Sequence, residues 1–530
     1  MSVETEHWSV TKSAVTAADG MVAAQHHLAA RAGADVLHRG GNAVDAAIGA
    51  ALALGVVEPW MCGLGGSGVM TVWLADEGRA MTLDFQGVLA DATDPADYPV
   101  DADLPMTLMG FPTVQGNANV EGYRSITVPG AAAGFDRARR RWGTMAMADI
   151  AAPAIELAER GVPADWFTTL QCALAMEVLQ RDPVSAAIYL PGGRPIQPEA
   201  ELKIPNLAET LHRFAVGGAE AFYAGALAEL LARDLAAGGS VIRAGDLNAY
   251  AALEAEAETG THRGATLHTP GTNSGGTRLR DFLGGVADAM AEPPQRPDPE
   301  SWATYAHAMN IAWRAHNARI GRGTEMGACT SHLSTADDQG NMVALTHTLL
   351  NRFGSGVTLP ATGLLMNNAV SYFDPRPGFP TTMAGGKRIN ASNMCPTVAT
   401  RGGGAIFALG ASGGNHIMPA VAQVAALMLD FGMTLEQAMN HPRLDASDRG
   451  SVRADPMLGH AVLDRLAREH VLEIAQRLTF PKLYACVSGV AMENGRFSGL
   501  NDPSQPVGGA SGPGAMVKPT SGPERSLPHA

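Results

Sequence analysis

The sequence predicts an α+β protein with layered α/β packing, and three observations carry that prediction. The chain has 530 residues, 46% of them hydrophobic and 17% charged, which is ample apolar material for a large buried core. Up to about residue 160 the pattern is dominated by Ala- and Leu-dense helical stretches. Beyond about residue 324, apolar residues alternate or run in short bursts between Gly- and Pro-rich turns, the grammar of strands. Helices and strands gathered in blocks pack as layers.

The elements follow in order. His27 to His38 and Asn42 to Val57 read as helices separated by Arg39-Gly40-Gly41, a stop followed by a restart. Pro59 and a glycine loop lead to a strand over Val69 to Ala75. Helical patterns return at Ala131 to Trp142, Asp149 to Glu159 and Glu220 to Ala237, and Glu292 to Pro299 is a Pro-rich surface loop. Strands are expected at Thr330–Thr335, Met342–Leu350, Gly363–Met366, Thr397–Thr400 and Ala405–Leu409, then a helix over Ile417 to Leu429. The segment from Pro503 to Ala530 is rich in Gly, Pro and Ser and is expected to be irregular.

Charge narrows the function classes. Lys and Arg number 38 against 52 Asp and Glu, a net −14, and the five lysines are scattered, so the basic face that nucleic acid requires is missing. The small cluster Arg137, Arg139, Arg140 and Arg141 reads as a solvated helix face. Five cysteines lie far apart with no CxxC, which suggests neither a disulfide framework nor a metal site, and no cofactor is implied. The first twenty residues include Glu4, Glu6, Lys12 and Asp19 and no apolar signal core. The longest apolar run, Ala46 to Val57, falls well short of the ~20 residues that cross a bilayer. A cytoplasmic protein without a membrane partner is the expectation.

Three motifs compete for the chemistry. Gly63-Leu64-Gly65-Gly66-Ser67-Gly68 matches G-x-G-x-x-G, but a helix precedes it and a strand follows, the reverse of a dinucleotide site. Gly410-Ala411-Ser412-Gly413-Gly414 matches G-x-S-x-G between a strand and a helix, as a nucleophile elbow requires. Its triad would draw on Asp430 or Asp445 and His460 or His470, among which the spacing does not choose. The third is a hairpin whose turn is Asp337 to Asn341. Centred on Gln339, it pairs His332 with Thr346 and sets Thr330 opposite Thr348 on the same face.

The third reading gains weight from a resemblance. The blocks Gly40 to Ala47, Val57-Glu58-Pro59, Gly63 to Gly66, Asp84-Phe85, Val128-Pro129-Gly130, Ala221-Phe222-Tyr223, Gly245-Asp246-Leu247 and Asn273 to Gly276 resemble the γ-glutamyltransferase (γ-glutamyl transpeptidase) family. So do Thr330-Ser331-His332, Gly340-Asn341, Phe353 to Gly356, Met366-Asn367-Asn368, Met394 to Thr397 and Gly413-Gly414, all in the family's order.

The resemblance implies the four-layer αββα sandwich of N-terminal-nucleophile hydrolases, made as a precursor that cuts itself between Cys329 and Thr330. Residues 1–329 would form a large chain and 330–530 a small one, associated in one intertwined fold, with a dimer of such pairs as the further assembly it allows. Thr330 would be the nucleophile, supported by Thr348, with the backbone N–H groups of Gly413 and Gly414 as oxyanion hole. The freed Thr330 α-amine, with a reference pKa of about 7.7–8.0, suits a general base.

The pocket departs from the family. Its arginine after Asp-Phe is Gln86 here, the asparagine two residues past the second threonine is Leu350, and a glutamine and an aspartate become Ala369 and Tyr372. The serine pair before Met394 survives only in part, as Ser392 and Asn393. Losing two charge-assisted contacts of about 1.5–3 kcal/mol each weakens γ-glutamyl binding by roughly two to four orders of magnitude. The family includes members that hydrolyse cephalosporin side chains and oxamate, and the rebuilt pocket is more similar to the oxamate amidohydrolase branch. The implied substrate is a small amide, with water as acceptor, bound by Gln86, Tyr372, Ser392, Asn393 and Arg388. The alternatives are a γ-glutamyl hydrolase or transpeptidase acting on glutathione-like substrates, and a binding homologue that never cleaves.

Overall fold

The computed structural model describes residues 10–107, 110–271, 274–320, 330–447 and 450–515. Two seven-stranded antiparallel sheets face each other. One runs, in spatial order, Gly509–Ser511, Gly20–Ala24, Ser331–Asp337, Met342–Thr348, Ser67–Leu74, Arg79–Phe85 and Leu253–Glu256. The other runs Val15–Ala17, Arg496–Asn501, Cys486–Glu493, Gly404–Ser412, Thr397–Arg401, Ala265–Thr269 and Glu258–His262. We call them the nucleophile sheet, after the role that the resemblance implies for Thr330, and the glycine-turn sheet, after Gly413. Residues before and after Thr330 contribute strands to both, so neither part closes a sheet alone.

The alternation of side chains across each strand sets the layers. Ala336, Met342 and Ala344 of the nucleophile sheet meet Val398, Ala408 and Val490 between the sheets. On the opposite face, Leu333, Val343, Leu345 and Val72 bury against helices including His27–His38, Ala43–Val57 and Met147–Arg160. The glycine-turn sheet buries Leu267, Phe407, Leu409 and Val487 against Gly275–Ala289, Pro299–Ile320 and Ile417–Phe431. The architecture is therefore αββα. The Ala43–Val57 helix is apolar on every side and buried nearly throughout, as expected of a core helix. Asn42 caps it by accepting from the Val44 and Asp45 N–H groups, while Asp45 accepts from the Asn42 N–H.

Several expectations need correction. Glu220 to Ala237 is two helices, Leu207–Tyr223 and Ala226–Ala237, broken where the N–H groups of Ala224 and Gly225 both turn back to the Glu220 carbonyl. Gly363–Met366 is loop with one isolated bridge, Thr358 to Leu365, and its apolar residues are buried without a ladder. Part of the expected irregular tail, Gly509–Ser511, is an edge strand paired with Gly20–Ala24. The arginine cluster, by contrast, is the solvated helix face expected, with Arg137 and Arg141 ion-paired to Glu254 and Arg139 and Arg140 to Asp136.

Candidate active site

The hairpin forms in the expected register, with Ser331 opposite His347, His332 opposite Thr346 and Ala336 opposite Met342. Carried one step further, that register sets Thr330 opposite Thr348. Thr348 pairs on its other side with Ser67, and the Gly68–Phe85 pairing carried one step sets Gln86 beyond Ser67. Thr330, Thr348, Ser67 and Gln86 thus form one row on the face turned to the other sheet, with roughly 14 Å of backbone between its ends. Thr330 is buried at 2% exposure. Thr348 Oγ1 accepts from the Leu350 N–H at 2.7 Å.

The Gly63–Gly68 loop is scaffolding for this row. A Cβ on Gly66 would come within 2.5 Å of the Thr348 carbonyl oxygen, so only glycine lets the loop approach that strand. His347 Nε2 meets the Gly63 carbonyl at 2.8 Å, and Asn367 Nδ2 donates to Gly65 O at 2.9 Å.

Across the sandwich, Gly404–Ser412 ends at the glycine pair. Gly413 has φ 136° and Gly414 φ 59°, both in the region that favours glycine, and the chain then enters the helix that starts at Ile417. A Cβ on Gly413 would press on Ala485 Cα at 2.8 Å. The turn is tied to its neighbours: Asn393 Nδ2 donates to Asn415 Oδ1 at 2.7 Å, and both Nη atoms of Arg278 donate to Asn393 Oδ1 at 3.0 Å. Arg278 also donates to the Ser392 carbonyl at 2.9 Å and stacks on Trp313. Asn393 therefore braces the glycine turn, both ends of its amide being engaged by protein.

Gln86, Arg388 and Ser392 line one cleft of about 440 Å³, together with Val69, Thr82, Asp84 and Ser274. Arg388 is fixed in its wall, donating to the Gln86 carbonyl at 3.0 Å and to Tyr250 Oη at 3.1 Å, with Asp84 at 3.5 Å. The Gln86 N–H donates to Asp84 Oδ1 at 2.8 Å. Tyr372 sits apart from that lining, at 4% exposure, in an apolar cluster with Val69, Leu350, Ala369 and Met394. Three of the substituted pocket positions thus converge on one apolar patch, which shares Val69 with the cleft. Cys329 lies outside the described residues.

The serine-elbow reading does not assemble. Ser412 Oγ accepts from Gln25 Nε2, Asp445 is held by His416 at 2.6 Å, and Asp430 by His262, Arg263 and Tyr305. Gln25, Glu58, Arg278 and Asn415 enter the surroundings of the site without belonging to any of the three sequence motifs. Only Glu58 carried a signal, as a lone acid at the end of an apolar helix.

Comparison with known proteins gives the family and the fold. The family model described as gamma-glutamyltranspeptidase matches residues 29–328 and 315–512. The Acylase ACY 1 proenzyme of Pseudomonas sp. (strain V22) is 33% identical over 470 residues, covering 82% of this chain and 83% of the relative. The Glutathione hydrolase proenzyme of Escherichia coli (strain K12) is 29% identical over 480 residues, covering 81% of each. The crystal structure of cephalosporin acylase from Bacillus halodurans superimposes with a TM-score of 0.83 at 24% identity, covering 97% of this chain and 99% of that one, and shares the fold. The chain belongs to the γ-glutamyltranspeptidase family and is an N-terminal-nucleophile hydrolase by fold. It is an enzyme of the hydrolase and transferase class that this family defines.

Proposed function

We propose that the chain is a self-processing N-terminal-threonine amidohydrolase that cleaves a small amide and recognises the acyl group by other means than the γ-glutamyl enzymes. Thr330 Oγ attacks the Cys329 carbonyl, the peptide C–N bond breaks to leave an ester on Oγ and a free Thr330 α-amine, and water hydrolyses that ester to release the Cys329 carboxyl group and restore the Thr330 hydroxyl. That amine then takes the Thr330 hydroxyl proton as Oγ attacks the substrate amide, and returns it to the departing amine. The N–H groups of Gly413 and Gly414 hold the tetrahedral oxyanion, and water releases the acid from Thr330.

The observation that carries this reading is the Thr330–Thr348 rung facing the Gly413–Gly414 sheet beside an apolar Leu350–Ala369–Tyr372 patch. The two relatives' names, an acylase and a glutathione hydrolase, bracket the choice of acyl group. The Leu350–Ala369–Tyr372 patch offers a γ-glutamyl α-ammonium no carboxylate, and desolvating that charge without an ionic partner is costly.

Three p-nitroanilides test the specificity: γ-glutamyl, glutaryl, which lacks the ammonium, and butyryl, which also lacks the carboxylate. The expected order puts γ-glutamyl below at least one of the others by tenfold or more in kcat/KM. A γ-glutamyl rate that leads the series and rises with a dipeptide acceptor would favour the transpeptidase reading instead. Thr330→Ala is expected to remain one chain of about 55 kDa and to turn over none of the three.

A further inference from the structure

Beneath the candidate nucleophile lies a buried polar chain that the mechanism above does not use. Gln25 follows the Gly20–Ala24 strand, the neighbour of Ser331–Asp337 in the nucleophile sheet. Its side chain is fully buried and spans the sandwich. Gln25 Oε1 lies 3.4 Å from the hydroxyl of Ser331, the residue after Thr330. Its Nε2 donates to the hydroxyl of Ser412, the residue before Gly413, and reaches the Cys486 carbonyl at 3.5 Å. One side chain therefore touches both the strand that starts with the nucleophile and the strand that ends in the oxyanion turn.

Glu58 holds the other side of the same hydroxyl. Its Oε2 is 2.8 Å from Ser331 Oγ, and its Oε1 accepts from Gln505 Nε2 at 2.9 Å. Gln505 Nε2 also donates to the Gln25 carbonyl at 3.2 Å, and Lys482 Nζ donates to Gln505 Oε1. Gln25, Glu58, Ser331 and Gln505 are all fully buried, and Ser412 is at 4% exposure. Gln25 and Glu58 precede the expected cut, and the other three follow it. Cleavage at Thr330 would leave the new terminus fastened by its ladder and by these bonds across the chain boundary.

We infer that Gln25 and Glu58 are positioning residues, a brace that fixes Thr330 relative to the Gly413–Gly414 turn. The inference rests on the Thr330 reading above. One hydroxyl proton on Ser331 cannot serve both acceptors. A donor at Glu58 Oε2 releases that proton to Gln25, and the chain of bonds then runs unbroken from Glu58 through Ser331 and Gln25 to Ser412. Misplacing a nucleophile by about 1 Å is enough to cost on the order of a hundredfold in rate.

Gln25→Leu and Glu58→Met remove the bonds while keeping much of the volume. Ser412→Ala removes one hydroxyl and leaves the packing almost untouched. With the fastest of the three p-nitroanilides, each is expected to lower kcat at least tenfold while KM stays within about threefold. Self-cleavage, followed by electrophoresis from the moment of synthesis, is expected to slow in parallel. Glu58→Gln can accept from Gln505 and donate to Ser331, so it is expected to recover most of the kcat lost in Glu58→Met. Should the two larger replacements prevent folding, Ser412→Ala alone decides the matter. Wild-type kcat in Ser412→Ala, beside an inactive Thr330→Ala, overturns the brace and leaves the nucleophile standing. Turnover surviving in Thr330→Ala overturns the nucleophile, and the brace with it.

Discussion

At the scale of single residues, the site depends on hydroxyls oriented by neighbouring backbone and side-chain groups. Thr348 shows this best, because its Oγ1 accepts the N–H of Leu350, a residue held at φ 83°. Thr348→Val keeps the shape and strands that N–H in a dry interior. The expected cost is about 1–3 kcal/mol of stability, with a larger proportional loss of kcat than of KM, read by thermal unfolding and steady-state kinetics. Of the residues proposed to carry the chemistry, Thr330 and the glycine pair were legible from sequence blocks, and Thr348 from the hairpin register and the resemblance. Asn393 was legible only as a pocket residue, because nothing in its neighbours announces that Arg278, more than a hundred positions earlier, takes up its carbonyl. Gln25 was invisible for the same reason. Its two hydroxyl partners are 306 and 387 positions away, and a lone glutamine after an apolar strand carries no local pattern.

At the scale of elements, the distance between the two central sheets is set by which side chains face inward. His332 projects from the nucleophile sheet with Nδ1 2.9 Å from Thr346 Oγ1 and Nε2 3.1 Å from Ser334 Oγ. Its ring lies where a Cβ on Gly410 would be, so the glycine is there to admit the imidazole. Gly410→Ala is expected to destabilise the fold by about 1–3 kcal/mol through overpacking. Adding His332→Ala should return part of that loss, a coupling that a double-mutant cycle in thermal unfolding measures. Additive effects would mean that the two positions do not share the space. The hairpin was readable because its turn is compact and its alternation clean, which fixes the register. Gly20–Ala24 and Arg79–Phe85 escaped notice as strands. The first is Gly- and Ala-rich with weak β preference, and the second lies within a helix-dominated stretch, so tertiary pairing decides both. Gly363–Met366 misled in the opposite direction, since a short apolar run records burial and not pairing.

At the scale of the whole molecule, the sandwich buries titratable groups whose protonation couples to folding. Burial holds His26 and His332 down to about 3 and His347 to about 4, so all three stay neutral in the fold. Unfolded, they bind protons near pH 6.5, so the unfolded state takes up more protons between there and about pH 3–4. Stability from these groups is complete above pH 6.5 and is lost as pH falls through that window. Glu58 acts in reverse. Burial raises it to about 7 from an unfolded value near 4.5, so its contribution is lost as pH rises between those values. Three groups outweigh one, and the melting temperature is expected to fall from pH 6.5 to pH 4. In Glu58→Gln the fall should be steeper, because the opposing contribution is gone. A melting temperature flat across that range would contradict the neutral, buried assignment of the histidines.

The layered architecture was readable as a class from the blocks of helix and strand, while the interweaving of the two parts of the chain was expected only through the resemblance, without the strands that each part supplies. That interweaving makes one cut tolerable: the segments on either side of Thr330 are woven into both sheets and need no peptide bond between them. The central claim is that this bond is broken and that Thr330 becomes an N-terminus. Intact-mass measurement with N-terminal sequencing of the purified protein tests it most directly. The account predicts two chains, one of 201 residues beginning Thr330-Ser331-His332 and one ending at Cys329. A single undivided chain of about 55 kDa, or a small chain beginning at any other residue, would contradict it.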